Sequence, residues 1–353
     1  MKRFNVVLVI LLIVGVAASA VSAAPLKVAL LINGTLGDRS FFDSAYEGIL
    51  AAEKELGIEA KLIEMGYDQS VWNPTLADIA EQDYDVIIVG TWQMTEYLEE
   101  VAPWNPDKRF IIFDTEVNYE LGNLDNVYSI VYKQNEGSFL AGALAALVTT
   151  SDMPLANPEK IIGFLGGVDI PVINDFLVGY IEGAVYIDPE VKVAVSYIGD
   201  FADSAKGKEM ALAQYHRGVD IGFNVAGQAA AKDTNRYAIG VDSDQALLFK
   251  DTDPEKANLI VTSMLKRIDN SLVRALKLHI EGTLPYGSTE ALGLVEEAVG
   301  LADNEFYQKL ISPEIRERLQ EIAVKIQKGE IEVGTAIGMS TQDLNALRDS
   351  VRP

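Results

Sequence analysis

The chain contains no cysteine. That excludes disulfides, iron–sulfur clusters and thiol chemistry. Histidine is nearly as scarce. The two present, His216 and His279, lie far apart in sequence, so no His–His spacing marks a zinc site. Signatures of catalysis are missing too. There is no G-x-S-x-G elbow and no G-x-x-x-x-G-K-S/T phosphate loop, and "DSAKGKE" lacks the first glycine of the latter. No G-x-G-x-x-G follows the first apolar strand, which removes support for dinucleotide binding of the Rossmann kind. The run "DSDQALLFKDTD" lacks the glycine and final glutamate of a calcium loop. Positive charge is in short supply: 29 Lys and Arg stand against 52 Asp and Glu, a formal net charge of −23. Such a surface repels phosphate backbones and anionic headgroups, so neither nucleic acid nor a membrane surface is an expected partner. No metal and no cofactor is expected, and the chain does not read as an enzyme.

Long apolar runs are absent except at the start. Met1-Lys2-Arg3 is followed by an apolar stretch from Val6 to Ala18 and then by small residues in "AASAVSAAP". This is the pattern of a secretory signal peptide, residues 1–23, with cleavage after Ala23 or after Ala20, and the apolar run is short for a membrane span. Without a cysteine, a lipid anchor through an N-terminal cysteine is excluded. The expected product is a soluble monomer, periplasmic or extracellular and not a lipoprotein.

What is present is globular: 49% hydrophobic and 23% charged residues over a 353-residue chain. "LKVALLI" reads as a strand, a 3.6-residue period from Ser44 to Leu56 as a helix, and Gly57 as its stop. "EAKLIEM", "YDVIIVG" and "RFIIFD" continue as strands, with helices over "NPTLADIAEQ" and "MTEYLEEVAPW". A long apolar helix, "GSFLAGALAALVTT", then opens a second series. Its strands are "KIIGFLGG", "VKVAVSYIG", "DIGFNVAG" and "RYAIGVD", with helices over "INDFLVGYIEGAVYI" and "SAKGKEMALAQYHRG" and a short one before "RYAIGVD". Strands alternating with amphipathic helices at this spacing predict an α/β protein with doubly wound parallel sheets. Two such series predict two lobes with a cleft between them. The tail, with "PEIRERLQEIAVKIQKGEIEV", reads as an amphipathic helix followed by a short strand or loop.

Ligands of open α/β sheets bind beyond the carboxyl ends of the strands. The residues found there are acidic and aromatic: Asp38, Phe41 and Phe42 after the first strand, Trp92 after the third, Asp114 after the fourth. In the second series Asp169, Asp200, Phe201, Gly227 and Asp242 take such places. Rings offer stacking faces, and carboxylates accept hydrogen bonds from N–H or O–H donors, a ribose diol among them. Each residue also has a structural reading. An aspartate at a strand end caps the following helix, and Phe41, Phe42 or Trp92 can pack into the core. The residues themselves leave that open and point only to a small-molecule cleft.

A resemblance goes further. "GDRSFFDSAYEGI", "FIIFD", "EGSFLAGALAAL", "GFLGGVDIPVINDFLVGYIEGA", "GDFADSAKGKEMALAQYHRGVDIGFNVAG", "YAIGVDSDQ" and "VTSMLKRIDNSLVRAL" resemble the basic-membrane-protein family, substrate-binding proteins of ABC transporters typified by purine nucleoside receptors. The likeness runs in order from about Lys27 to about Leu301. It implies a type I periplasmic-binding-protein fold: an N-terminal lobe of residues 25–130 plus about 262–300, a C-terminal lobe of 131–261, and a helical tail over 301–353. It implies a nucleoside ligand, an ABC transporter permease as partner, and hinged closure of the lobes. By position, Phe41 and Phe201 would stack on the base and Asp114 would accept from its edge. Asp242 and Lys266 would hold the ribose hydroxyls, with Gly227 giving the sugar room. Two departures stand in the expected pocket. Phe42 replaces the family's usual asparagine, and "VAGQAAAKDTN" is short, with Gln228 for a second glycine. An added ring and a lost amide suit a larger or less polar aromatic ligand, with riboflavin as the alternative.

Overall fold

The computed structural model describes residues 24–201, 203–225 and 235–353. The candidate signal at 1–23, Gly227, Gln228 and the helix expected before "RYAIGVD" lie outside the described residues. The first series runs β1 (Lys27–Ile32), α1 (Phe41–Leu56), β2 (Glu59–Glu64), α2 (Trp72–Ala80), β3 (Val86–Gly90), α3 (Thr95–Val101), β4 (Arg109–Phe113) and β5 (Val127–Tyr132). The second runs α4 (Gln134–Thr149), β6 (Ile161–Gly166), α5 (Pro171–Ile187), β7 (Lys192–Tyr197), α6 (Ser204–His216), β8 (Val219–Val225) and β9 (Tyr237–Asp242). There follow α7 (Gln245–Phe249), α8 (Pro254–Ala257), β10 (Ile260–Lys266), α9 (Ile268–Ile280), β11 (Ser288–Leu292) and β12 (Val299–Leu301).

Two six-stranded sheets result, ordered β11-β5-β4-β3-β1-β2 and β12-β10-β9-β8-β6-β7. All pairings are parallel except β12 with β10. Along β1 the side chains alternate between two apolar clusters. Val28, Leu30 and Ile32 enter the cluster that contains Ala45, Ile49 and Ala52 of α1, while Ala29 and Leu31 enter the one that contains Leu76 of α2 and Leu98 of α3. The sheet is covered on both faces, which is why its strands read as continuous apolar runs rather than alternating ones. The two sheets share one winding. Strand order reverses between β1 and β3 in the first and between β6 and β8 in the second, and such reversals open a crevice at the carboxyl edge.

Among the described residues the chain passes between the sheets three times: from β5 into α4, from β10 into α9, and from β11 to β12. The crossings are tied together. Lys133 donates its N–H to Leu292 O at 2.9 Å, and Arg267 donates to Ala298 O at 2.8 Å. The expected return to the N-terminal lobe at about residue 262 falls inside β10, which pairs with β9 from Ile260 to Leu265. The chain leaves the second sheet only after Lys266. α9 then packs on α1.

The tail forms α10 (Glu305–Leu310), α11 (Pro313–Gln327) and α12 (Thr341–Ser350). α11 lies against α4. Val193 of β7 donates to Val351 O at 2.8 Å, and Arg348 pairs with Asp169 at 2.9 Å. The tail is therefore bound to the lobe of the second sheet. Its last helix is a feature that the sequence pattern did not single out.

Candidate functional site

The loop after β1 is shaped by two carboxylates. Asp38 accepts from the N–H groups of Ser40 (3.0 Å), Phe42 (2.8 Å) and Asp43 (3.2 Å). Asp43 accepts from Gly37 at 2.7 Å and Arg39 at 2.9 Å. Of these donors, Phe42 and Asp43 lie in the first turn of α1, whose N–H groups have no partner within the helix. α1 consequently starts at Phe41, three residues before the apolar period becomes visible in the sequence. Asp38 takes the capping role that the sequence left open.

Phe41 and Phe42 are both half-buried, and they do different things. Phe41 meets Phe42 edge to face at 5.3 Å between centroids and tilts over Phe113 at 5.6 Å. Phe42 folds back over Gly34, where a Cβ would stand 2.6 Å from its ring. That glycine is the seat of the second ring.

Three residues at the carboxyl edges have left-handed backbones: Thr91 (φ 72°), Asp114 (φ 65°) and Asp242 (φ 63°). Aspartate tolerates this region, but a β-branched threonine there is an outlier, and such strain clusters at binding sites. Thr91 is held by Asn33, whose amide donates to its hydroxyl at 2.9 Å.

Lys266, the last residue of β10, lies at the centre. It is only 2% exposed. Its ammonium donates to Asp114 Oδ1 at 2.6 Å and sits 4.9 Å from the ring of Phe176, 5.5 Å from Tyr132 and 5.9 Å from Phe41. A buried ammonium is tolerable only when paired, and ring faces add further attraction. Asp242 faces Ser40 instead, whose hydroxyl donates to its Oδ2 at 2.6 Å. Ser243 Oγ donates to Ser40 O at 3.2 Å. The loop of the first sheet thus touches the edge of the second. Burial pushes the Asp242 carboxyl up to about 6. Lys266 and the Ser40 hydroxyl pull it down, while Asp114 and Asp38 push it up.

The structure brings together Phe41, Asp114, Asp242 and Lys266. Trp92 and Phe201 stand 56% and 55% exposed on the loops after β3 and β7. Gly227 lies outside the described residues. Asp169 is engaged by Arg348 and by Asn174. Tyr132 and Phe176 are additions that sequence reasoning missed. Tyr132 ends a strand without a clear flanking signal, and Phe176 sits in the middle of an apolar helix, where a ring reads as core. A carboxylate pair, one buried ammonium and several ring faces offer acceptors, a donor and stacking surface. Among the described residues no group of His, Cys, Asp or Glu is arranged to hold a metal ion. None of their helices is long and apolar enough to cross a membrane.

The chain and its two like-wound sheets have known counterparts. Residues 26–335 match the Bmp family, described as ABC transporter substrate-binding protein PnrA-like. The chain belongs to that family. A CD4+ T-cell-stimulating antigen of Listeria monocytogenes is 32% identical over 320 residues, 85% of each chain. The ABC transporter nucleoside-binding protein BmpA of Lactococcus lactis is 28% identical over 330 residues, 87% of this chain and 89% of that one. Among solved structures, a solute-binding protein of an ABC transporter system from Aeropyrum pernix K1 superposes with a TM-score of 0.78 at 26% identity, covering 93% of this chain and all of that one. The fold is that of type I periplasmic binding proteins. As a family of extracytoplasmic substrate-binding proteins, its members take up a small molecule and work with a permease.

Proposed function

We propose that this chain binds a nucleoside, with a purine as its base, in the cleft between its lobes and presents it to an ABC transporter permease. We take the lobes as 24–132 with 268–292, and 133–267 with 293–353, following the three crossings. The observation that carries the reading is the buried Lys266–Asp114 pair lying beside Phe41. A ring supplies the stacking face, Asp114 accepts from the base edge, and Asp242 with Lys266 holds the sugar diol. The name of the Lactococcus lactis relative supports the same ligand class. Phe201 is the second plate once the lobes close over the ligand. Export through residues 1–23 and a monomeric state complete the proposal.

Titration calorimetry with inosine, guanosine, adenosine, cytidine, uridine and riboflavin tests it. Purine nucleosides are expected to bind in the micromolar to nanomolar range, about −8 to −12 kcal/mol. Incubation with inosine is expected to release no free base. Absence of heat with every nucleoside refutes the reading. Binding of riboflavin alone selects the second reading, which Phe42 favours: it places a ring where relatives are expected to have an amide.

A further inference from the structure

Phe176 gives the nearest ring face to the Lys266 ammonium, and its neighbour Asp175 is 2% exposed. Such a carboxylate needs partners. Both of its oxygens have them, from two distant parts of the chain. Oδ2 accepts from Gln134 Nε2 at 2.7 Å, at the first crossing between lobes. Oδ1 accepts from Thr335 Oγ1 at 2.6 Å and from the N–H of Ala336 at 2.9 Å.

The segment from Val333 to Ala336 is stitched into the seam between α4 and α5. Asn135 Nδ2 donates to Gly334 O at 2.9 Å, and the N–H of Gly334 donates to Glu182 at 2.8 Å. The seam is tight because α5 presents Gly179 to α4. A Cβ there would fall 2.1 Å from Asn135 O, so the helices touch backbone to backbone. The position of Asp175, and of Phe176 beside it, is thus set by α4 and by the tail together. Burial raises the Asp175 carboxyl, and the hydrogen bonds from Thr335, Ala336 and Gln134, followed by the Lys266 charge, offset part of that rise.

We propose that the C-terminal segment Val333–Ala336 is a positioning element of the ligand site: by holding Asp175 it seats Phe176 against the Lys266 ammonium and fixes how that ammonium is offered to the ligand. This rests on the reading that Lys266 grips the ligand. It extends the site to a stretch of chain that belongs to neither sheet.

The test uses the full chain with Thr335→Val, Thr335→Ser and Phe176→Leu. Ser340→Ala serves as a control, because it removes the cap of α12 (Ser340 Oγ accepts from Asp343 N) without touching Asp175. Phenylalanine rings are labelled with 13C, and the Phe176 signals are assigned by their loss in Phe176→Leu. Thr335→Val is expected to move the Phe176 signals and to weaken inosine binding about 3- to 10-fold, roughly the loss of one charge-assisted hydrogen bond read through its neighbour. Thr335→Ser restores both. Ser340→Ala lowers Tm and leaves both unchanged. Unmoved Phe176 signals in Thr335→Val overturn the proposal. So does an unchanged Kd with a lowered Tm, which makes the segment a structural anchor only. If the unsubstituted protein binds no nucleoside, the nucleoside reading fails, and the ring signals still decide whether the segment seats Phe176.

Discussion

Lys266 and Asp114 are 152 residues apart and belong to different sheets, yet their charged atoms meet at 2.6 Å with both side chains largely buried. Removing one partner of such a pair strands the other. Lys266→Met is expected to cost about 3–5 kcal/mol of stability and to abolish nucleoside binding. The double variant Lys266→Met/Asp114→Asn should regain most of the stability and none of the binding. Denaturant unfolding and calorimetry separate the two effects. Binding by the double variant at the original strength would exclude the pair from the ligand site.

Stacking can be read from Phe41. Base–aromatic stacking contributes about 1–3 kcal/mol per base, so Phe41→Ala should weaken binding roughly 10- to 100-fold, and Phe41→Tyr should keep most of it. Phe201→Ala tests the second plate. A Kd unmoved by Phe201→Ala would leave Phe41 and the buried rings as the whole aromatic surface of the site.

Binding should depend on pH through Asp242. Its carboxyl sits at about 6 because burial resists its charge. A sugar diol donates to the ionised form, so a bound ligand lowers that value. Below it a proton must leave before the diol can bind. Affinity is expected to rise from pH 5 to pH 7, by at most about tenfold per unit, and to level off above. Asp242→Asn should bind weakly, with a flat profile. Affinity that falls over the same range would contradict the assignment of Asp242.

The Phe42 ring occupies the space over Gly34 where a side chain would stand. Gly34→Ala is expected to destabilise the protein by about 1–3 kcal/mol through overpacking. In a Phe42→Ala background the same change should cost much less. Additive losses, measured by urea unfolding, would show that the ring moves aside freely.

Much of the frame was legible because hydrophobic period survives in local sequence. Among the described residues, the strands from "LKVALLI" to "RYAIGVD" and the helices between them are found where the pattern places them; the helix expected before "RYAIGVD" lies outside those residues. What escaped was set by side-chain contacts that the apolar period does not carry, some local and some distant. α1 begins at Phe41 because Asp38 and Asp43 tie down the loop, not because the apolar period starts there. β5 lies between β4, which precedes it, and β11, which is far from it in sequence, and no α-helix separates β4 from β5 to frame the short run "VYSIVY". Lys266 reads as a solvated helix position in "MLKRI", but it is the buried end of a strand. Only pairing of β10 with β9 and β12 puts it there.

The amino-acid sequence alone determined the class of fold, the two series of strands and the edge at which acids and rings gather, since these follow from side-chain periodicity and strand–helix order. It also ruled out thiol chemistry. Tertiary structure decided which of those residues meet. Whether an aspartate pairs with a lysine, as Asp114 does 152 residues away, or accepts from a serine, as Asp242 does 202 residues away, depends on what a remote chain segment brings within about 3 Å, and no local pattern encodes that distance.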